Sequence, residues 1–299
     1  AEASRFLVQA SFGPSPDSIN QVAAAGFEDT FLSQLAEPAT LYMPSVKALE
    51  ASGDLQLSSA IDTFWDVAAG GRDQLRQRMV YALSQILVIS AEDGFLKGQP
   101  VTQAHYMDIL SRNAFGNYRD LLEEITYSPA MGVYLTYMRN EKADPTKGNM
   151  PDENYARELM QLFTIGLVEL NNDGTPRAGD IETYDQDDVT GLARVFTGLS
   201  HPGGFQERNA AANAYEVPMI IYDSAHSELE KSFLGLTIPA GTDAATSIDM
   251  ALDHLFEHPN VGPFIGRQLI QRFVTSNPEP AYVGRVATAF NMGEYTLPN

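Results

Sequence analysis

The sequence predicts a mainly α-helical protein, a multi-helix, bundle-like domain. β structure is limited to at most a small hairpin or short strands around residues 168–183 and 217–222. Three observations predict this. Apolar residues recur at three- and four-residue spacing in segment after segment, as in Leu75, Met79, Ala82, Leu83, Ile86 and Leu87. Gly and Pro punctuate the chain between those segments, at Gly13-Pro14-Ser15-Pro16, Gly70-Gly71 and Ser128-Pro129. Against this, only the run VPMIIY at 217–222 reads as a strand, and only Asn172-Asp173-Gly174 as a hairpin turn.

The elements follow in order. A short helix at 4–12 presents Phe6, Leu7 and Ala10 on one side. Ser15 or Asp17 can cap the helix that runs on to Ala25. Residues 27–35 place Phe27, Phe31, Leu32 and Leu35 on one face, and weaker helices are expected at 45–51 and 57–69, the second holding Trp65. The strongest long helix is expected at 73–90, with Arg76 and Gln77 off its apolar face. Further helices are expected at 101–113, 118–127, 131–138, 184–198, 245–257, 263–275 and 280–290, with polar loops at 140–149 and 201–213.

The most informative stretch is 151–166, PDENYARELMQLFTIG. Pro151 with Asp152 and Glu153 suits a helix start, where a missing N–H costs nothing and the dipole favours acids. Gly166 suits the stop. Tyr155, Leu159, Leu162 and Gly166 give the spacing of a buried stripe. A second row, Asn154, Arg157, Glu158 and Gln161, is polar throughout. It reads either as a buried hydrogen-bonded strut or as the wall of a pocket, with Glu158 as general base and Arg157 as an anion clamp. Arg194 pairs with Asp187 two turns earlier on the same helix face, while Asp188 reads as a first-turn acid.

Composition bounds the function. The chain has 299 residues, ample for a sizeable core, and 44% are hydrophobic. The formal charge of −20 argues against nucleic acid or an anionic membrane as the main partner. No apolar run approaches the ~20 residues that span a bilayer, so no membrane insertion is expected. The absence of cysteine excludes disulfides and thiolate metal sites, and fits an exported protein that folds without oxidation. One domain over 1–299 is expected, with a sub-division near 201–244 as the alternative. The closing residues read as a truncated C-terminus.

Several blocks resemble, in the same order, the large bacterial family known only as domain of unknown function 1800. They are RFLVQASFGP from Arg5, NYAREL from Asn154 with LFTIG from Leu162, and Glu169-Leu170-Asn171 with Asp173-Gly174-Thr175. Asp187-Asp188-Val189 with ARVFTG from Ala193, His226 with Lys231 and Phe233-Leu234-Gly235, and His258-Pro259-Asn260-Val261 complete the set, with Arg267 in the last block. Gln161, Leu199 and Ser227 depart from residues common in the family. The resemblance implies a mainly helical, exported bacterial protein, encoded beside a sulfatase- or phosphatase-like partner family. It supplies no activity.

Remaining candidates are local. His226 and Lys231 follow the strand candidate on a loop and are suited to catalysis or substrate binding, in company with Glu158. His254-Leu255-Phe256-Glu257-His258 matches an inverted zinc-peptidase pattern by letter, but Pro259 ends the helix where a zinc helix should continue, so no metal is assigned. The sequence specifies no cofactor. The reading adopted is an exported scaffold, binding or assembly component, periplasmic or extracellular, acting with a co-exported protein partner or by self-association. The alternative is a hydrolytic, metal-assisted enzyme with a pocket around Arg157, Glu158, Asp188 and His226.

Overall fold

The computed structural model describes residues 1–207 and 212–292. Among the described residues the fold is mainly α, with two small two-stranded antiparallel sheets. Contacts divide the chain into two compact units. The first comprises residues 1–117 with 269–277, the second 118–268 with the later C-terminal segment.

In the first unit the helices are α1 (Glu2–Ala10), α2 (Pro16–Ala25), α3 (Phe27–Ala36), α4 (Met43–Ser52), α5 (Ser59–Gly70), α6 (Gln74–Ser84) and α7 (Pro100–Asn113). Ser15 caps α2 with a reciprocal Ser15–Ser18 capping box. The helix expected at 73–90 stops at Ser84, and Ile86 and Leu87 are buried in the turn that follows. Phe27 and Phe31 are 45% and 39% exposed, Phe27 resting its ring against Phe6 with centroids 5.3 Å apart. Arg76 and Gln77 lie off the apolar face yet are buried, because Asp73 draws them into a polar network. Asp73 accepts from the Thr40 amide at 2.8 Å and from Gln77 Nε2 at 2.9 Å, and Arg76 Nη1 donates to Ser111 O at 2.9 Å. Asp108 accepts the Tyr42 amide at 2.6 Å, and burial pushes its carboxyl up. Beside this network, Phe64, Trp65, Tyr81, Tyr106 and Met107 line a half-open apolar cavity of about 250 Å³.

The second unit contains α8 (Tyr118–Thr126), α9 (Pro129–Tyr134), α10 (Asn154–Glu158), α11 (Gln186–Ala193), α12 (Ala244–Phe256), most of α13 (Val261–Phe273) and α14 (Pro280–Met292). The helix foreseen at 151–166 begins at Asn154 and changes character after Glu158. Residues Leu159–Thr164 form a π-helix, in which the Ile165 amide reaches back five residues to Met160 O at 2.9 Å. The wider turn changes the phase of the buried stripe. Tyr155, Leu159 and Phe163 are buried, while Leu162, which α-helical spacing puts in the core, is 41% exposed. Gly166 then ends the helix at φ +74°.

Strand β1 (Leu199–Ser200) pairs with β2 (Ile220–Ile221), so the strand foreseen at 217–222 shrinks to two residues. Met219 is diverted, its amide donating to Tyr127 O at 2.7 Å. Residues 168–183 fold back through two isolated antiparallel bridges, Val168 with Glu182 and Leu170 with Pro176. A hairpin not foreseen at the sequence level joins β3 (Lys231–Phe233) to β4 (Leu236–Ile238) through Leu234-Gly235. The closing residues read as truncated lie, apart from the end of α14, outside the described residues. Among the described residues, no helix is long and apolar enough to cross a membrane.

Candidate functional site

Helix α11 is the element around which the candidate residues are arranged, packed against α10 and against β3. Its start is fixed by sequence. Asp185 accepts from the Asp187 and Asp188 amides, and the Asp185 amide donates to Asp188 Oδ2 at 2.9 Å, a complete capping box. The other oxygen of Asp188 accepts the Leu234 amide at 2.6 Å, which ties α11 to the β3–β4 turn. Asp188 is therefore a structural double acceptor. Asp187 is exposed, and the expected Asp187–Arg194 pair does not form: Arg194 Nη1 donates to Glu230 O at 3.0 Å. Arg267 is likewise turned to a backbone oxygen, Gly174 O at 3.4 Å.

The polar row of α10 meets the opposite side of α11. Arg157 pairs with Glu153 at 3.2 Å and donates to Gln186 Oε1 at 3.0 Å. Glu153 also accepts from Gln186 Nε2 at 2.8 Å and Thr190 Oγ1 at 2.9 Å. Asn154 is exposed, its amide donating to Asp152 at 2.8 Å. Gln161 Oε1 accepts from the Tyr184 hydroxyl at 3.2 Å. Glu158 stands apart from its row, because its Oε2 is enclosed with no hydrogen-bond partner. Burial raises its pKa and the neighbouring Arg157 lowers it in part. The same two charges act on Tyr184, which burial pushes up. Arg157, Glu158, Gln161 and Tyr184 thus form one half-exposed polar patch at the junction of the α- and π-helical turns.

A second cluster surrounds His226 and Lys231, both fully enclosed. His226 Nδ1 donates to Thr197 O at 2.9 Å, and its Nε2 has no partner. Burial lowers the His226 pKa, and Lys231 lowers it further. Lys231 Nζ is also enclosed without a partner, and its pKa is lowered by burial and by Arg194 and raised by Asp243.

The arrangement groups Lys231 with His226, and separately Arg157 with Glu158 and Gln161. Glu158 is not among the charges that act on His226 or Lys231. Tyr184 and Asp243 belong to these clusters and are absent from the sequence-level candidates. Asp243 had a detectable signal, since Asp243 before Ala244–Phe256 has the form of an N-cap. In the pattern from His254 to His258, His254 Nε2 bonds to Leu234 O at 3.0 Å and His258 Nδ1 accepts the Asn260 amide at 3.2 Å. Among the described residues no group of three or more His, Cys, Asp or Glu is placed to hold a metal.

Compared with known proteins, the chain matches the family model described as a protein of unknown function, DUF1800, over residues 5–299. No curated protein and no solved structure matches it.

Proposed function

We propose, from the premise that the chain belongs to the DUF1800 family of proteins of unknown function, that it is a binding or scaffold component working outside the cytoplasm. The observation that carries this reading is the destination of the polar groups along α10 and α11. Arg157 is committed to Glu153 and Gln186, Asp188 to Asp185 and Leu234, Arg194 to Glu230 O and Arg267 to Gly174 O. Groups held this way position elements and are not free to follow a reacting substrate. The cysteine-free, strongly acidic composition supports a working place outside the cytoplasm. The partner under this reading is a co-exported protein or a second copy of the chain.

One observation favours a second reading, a hydrolytic enzyme. A carboxyl whose pKa is raised by burial, with one oxygen unpartnered beside a tyrosine and an arginine, has the character of a general acid. Fractionation of the producing bacterium tests the location, and recovery in the cytosol overturns it. In the exported fraction, cross-linking should recover the same partner with the wild-type chain and with Glu158→Gln. A hydrolytic activity in purified wild-type protein that Glu158→Gln lacks would establish the second reading instead.

A further inference from the structure

The bond from His226 Nδ1 to Thr197 O positions its loop, but it gives no role to His226 Nε2 or to Lys231 Nζ. Lys231 is 0% and His226 3% exposed, and both Lys231 Nζ and His226 Nε2 are buried with no hydrogen-bond partner. The His226 ring cannot turn to relieve this. Its Nδ1 lies 2.9 Å from Thr197 O, a group that only accepts, so Nδ1 carries the proton and the neutral ring presents a lone pair at Nε2. Thr197 is itself fixed, its hydroxyl donating to Arg194 O at 2.8 Å and accepting the Ser227 amide at 2.9 Å.

The charges around the pair come from four elements. Lys231 opens β3, Arg194 ends α11, Asp223 precedes His226 in the same loop, and Asp243 caps α12. Asp243 is the acid that acts on both Lys231 and His226. Its carboxylate is already occupied by the Thr246 amide at 2.9 Å and the Thr246 hydroxyl at 2.8 Å. An ammonium buried without a bonded counter-charge is strongly disfavoured, and buried polar groups in folded proteins are almost always satisfied. A water molecule on Nζ would complete a hydrogen bond but would bring no negative charge to the ammonium.

We propose that Lys231, His226 and Arg194 frame an enclosed site for one compact inorganic anion, in the size range from chloride to phosphate. The anion accepts from Lys231 Nζ, and protonation of His226 converts Nε2 from acceptor to a second donor. The site is enclosed, so the anion is trapped on folding and exchanges only when the β3 segment opens. This inference goes beyond the scaffold reading and does not depend on it.

The test is thermal unfolding at constant ionic strength in sodium gluconate, whose anion is too bulky to enter, with gluconate replaced stepwise by chloride, sulfate or inorganic phosphate. The expected result is a saturable rise in Tm with at least one compact anion. Lys231→Met should give no such rise, and in gluconate should be at least as stable as the wild type. Ion chromatography of anion released by denaturing desalted protein should find about one equivalent in the wild type and none in Lys231→Met. The rise should grow as pH falls through the His226 titration, and this growth should vanish in His226→Gln while the anion response at neutral pH persists. Equal Tm values in gluconate and in every compact anion, with no anion released, would mean that water fills the site and would overturn the proposal. An anion response in Lys231→Met equal to that of the wild type would also overturn it, and a pH-dependent response retained in His226→Gln would remove His226 from the site.

Discussion

Asp188 and Leu234, 46 positions apart, are joined by a 2.6 Å hydrogen bond from the Leu234 amide to Asp188 Oδ1. Leu234 is held at φ +48°, a conformation that disfavours a branched side chain, so the turn needs an external tie. Asp188→Ala removes that tie and the reciprocal half of the α11 cap together, and should cost about 2–4 kcal/mol. Asp188→Asn, with a single acceptor oxygen, can keep one of the two bonds and should fall between. Urea unfolding of both variants checks the order.

The approach of α11 to β3 is closer still. A Cβ on Gly191 would run into the Ser232 carbonyl oxygen, and backbone cannot rotate away as a side chain can. Gly191→Ala should therefore destabilise by about 3 kcal/mol, despite being favourable for an isolated helix. A variant as stable as the wild type in chemical denaturation would show that α11 and β3 can separate freely.

Asn260 carries more than the ion pair at the centre of the polar row. It is fully buried, its Nδ2 donating to Ile165 O and Val168 O at 2.8 Å each, while its Oδ1 accepts the Leu170 amide at 2.9 Å. Asn260→Ala leaves three backbone groups unpaired and should cost about 3 kcal/mol or more. Arg157→Ala, at a pair whose side chains are 39% and 34% exposed, should cost less than about 1 kcal/mol, and still less in high salt. Parallel denaturation curves at low and high salt separate the two.

Glu158 should show itself in the pH dependence of stability. Its folded pKa is raised, so the fold favours the protonated carboxyl. Any stability this group contributes is present below the ordinary glutamate value of about 4.3 and is lost as pH rises through the folded pKa. Glu158→Gln should therefore match or exceed the wild type at neutral pH, and lose that relative advantage on acidification. His226 has the opposite sign: its folded pKa is lowered, so its contribution is present above about 6.5 and is lost as pH falls through the folded pKa. In gluconate, His226→Gln should flatten that acid-side decline. Tm measured from pH 4 to 8 in both variants tests both signs.

Much of the helical architecture was legible because apolar spacing and punctuation are local signals. The cap of α2, the start of α8 and the positions of α12 and α14 lie within a residue or two of expectation. The misses have identifiable physical causes. Gln74–Ser84 ends early because Ile86 and Leu87 are buried equally well by a turn, which periodicity cannot distinguish from a helix. Arg76 and Gln77 are polar by type and buried by partnership, and that partnership with Thr40 and Ser111 is long-range. The candidate residues His226 and Lys231 were legible as types. Their shared enclosure was not, because it depends on β3 packing against a helix more than 30 positions earlier. The enzyme alternative gathers Glu158 and His226 around one pocket; in the structure Glu158 is not among the charges that act on His226 or Lys231, and its electrostatic neighbours are Arg157 and Tyr184.

The π-turn at Leu159–Thr164 makes chain length, rather than residue identity, the sensitive variable in this region. Deleting one residue there would leave every local preference for helix intact and favour an ordinary α-helical pitch. The segment would then turn Leu162 inward and carry Phe163 out of the core, while Gly166 shifted from beneath the Phe264 ring it now abuts. A neutral-looking alanine replacement of Leu162 should be tolerated, whereas a one-residue deletion beside it should unfold the second unit. The same extra residue is what sets Gln161 opposite Tyr184, so the polar patch inherits its geometry from a count of residues rather than from their chemistry.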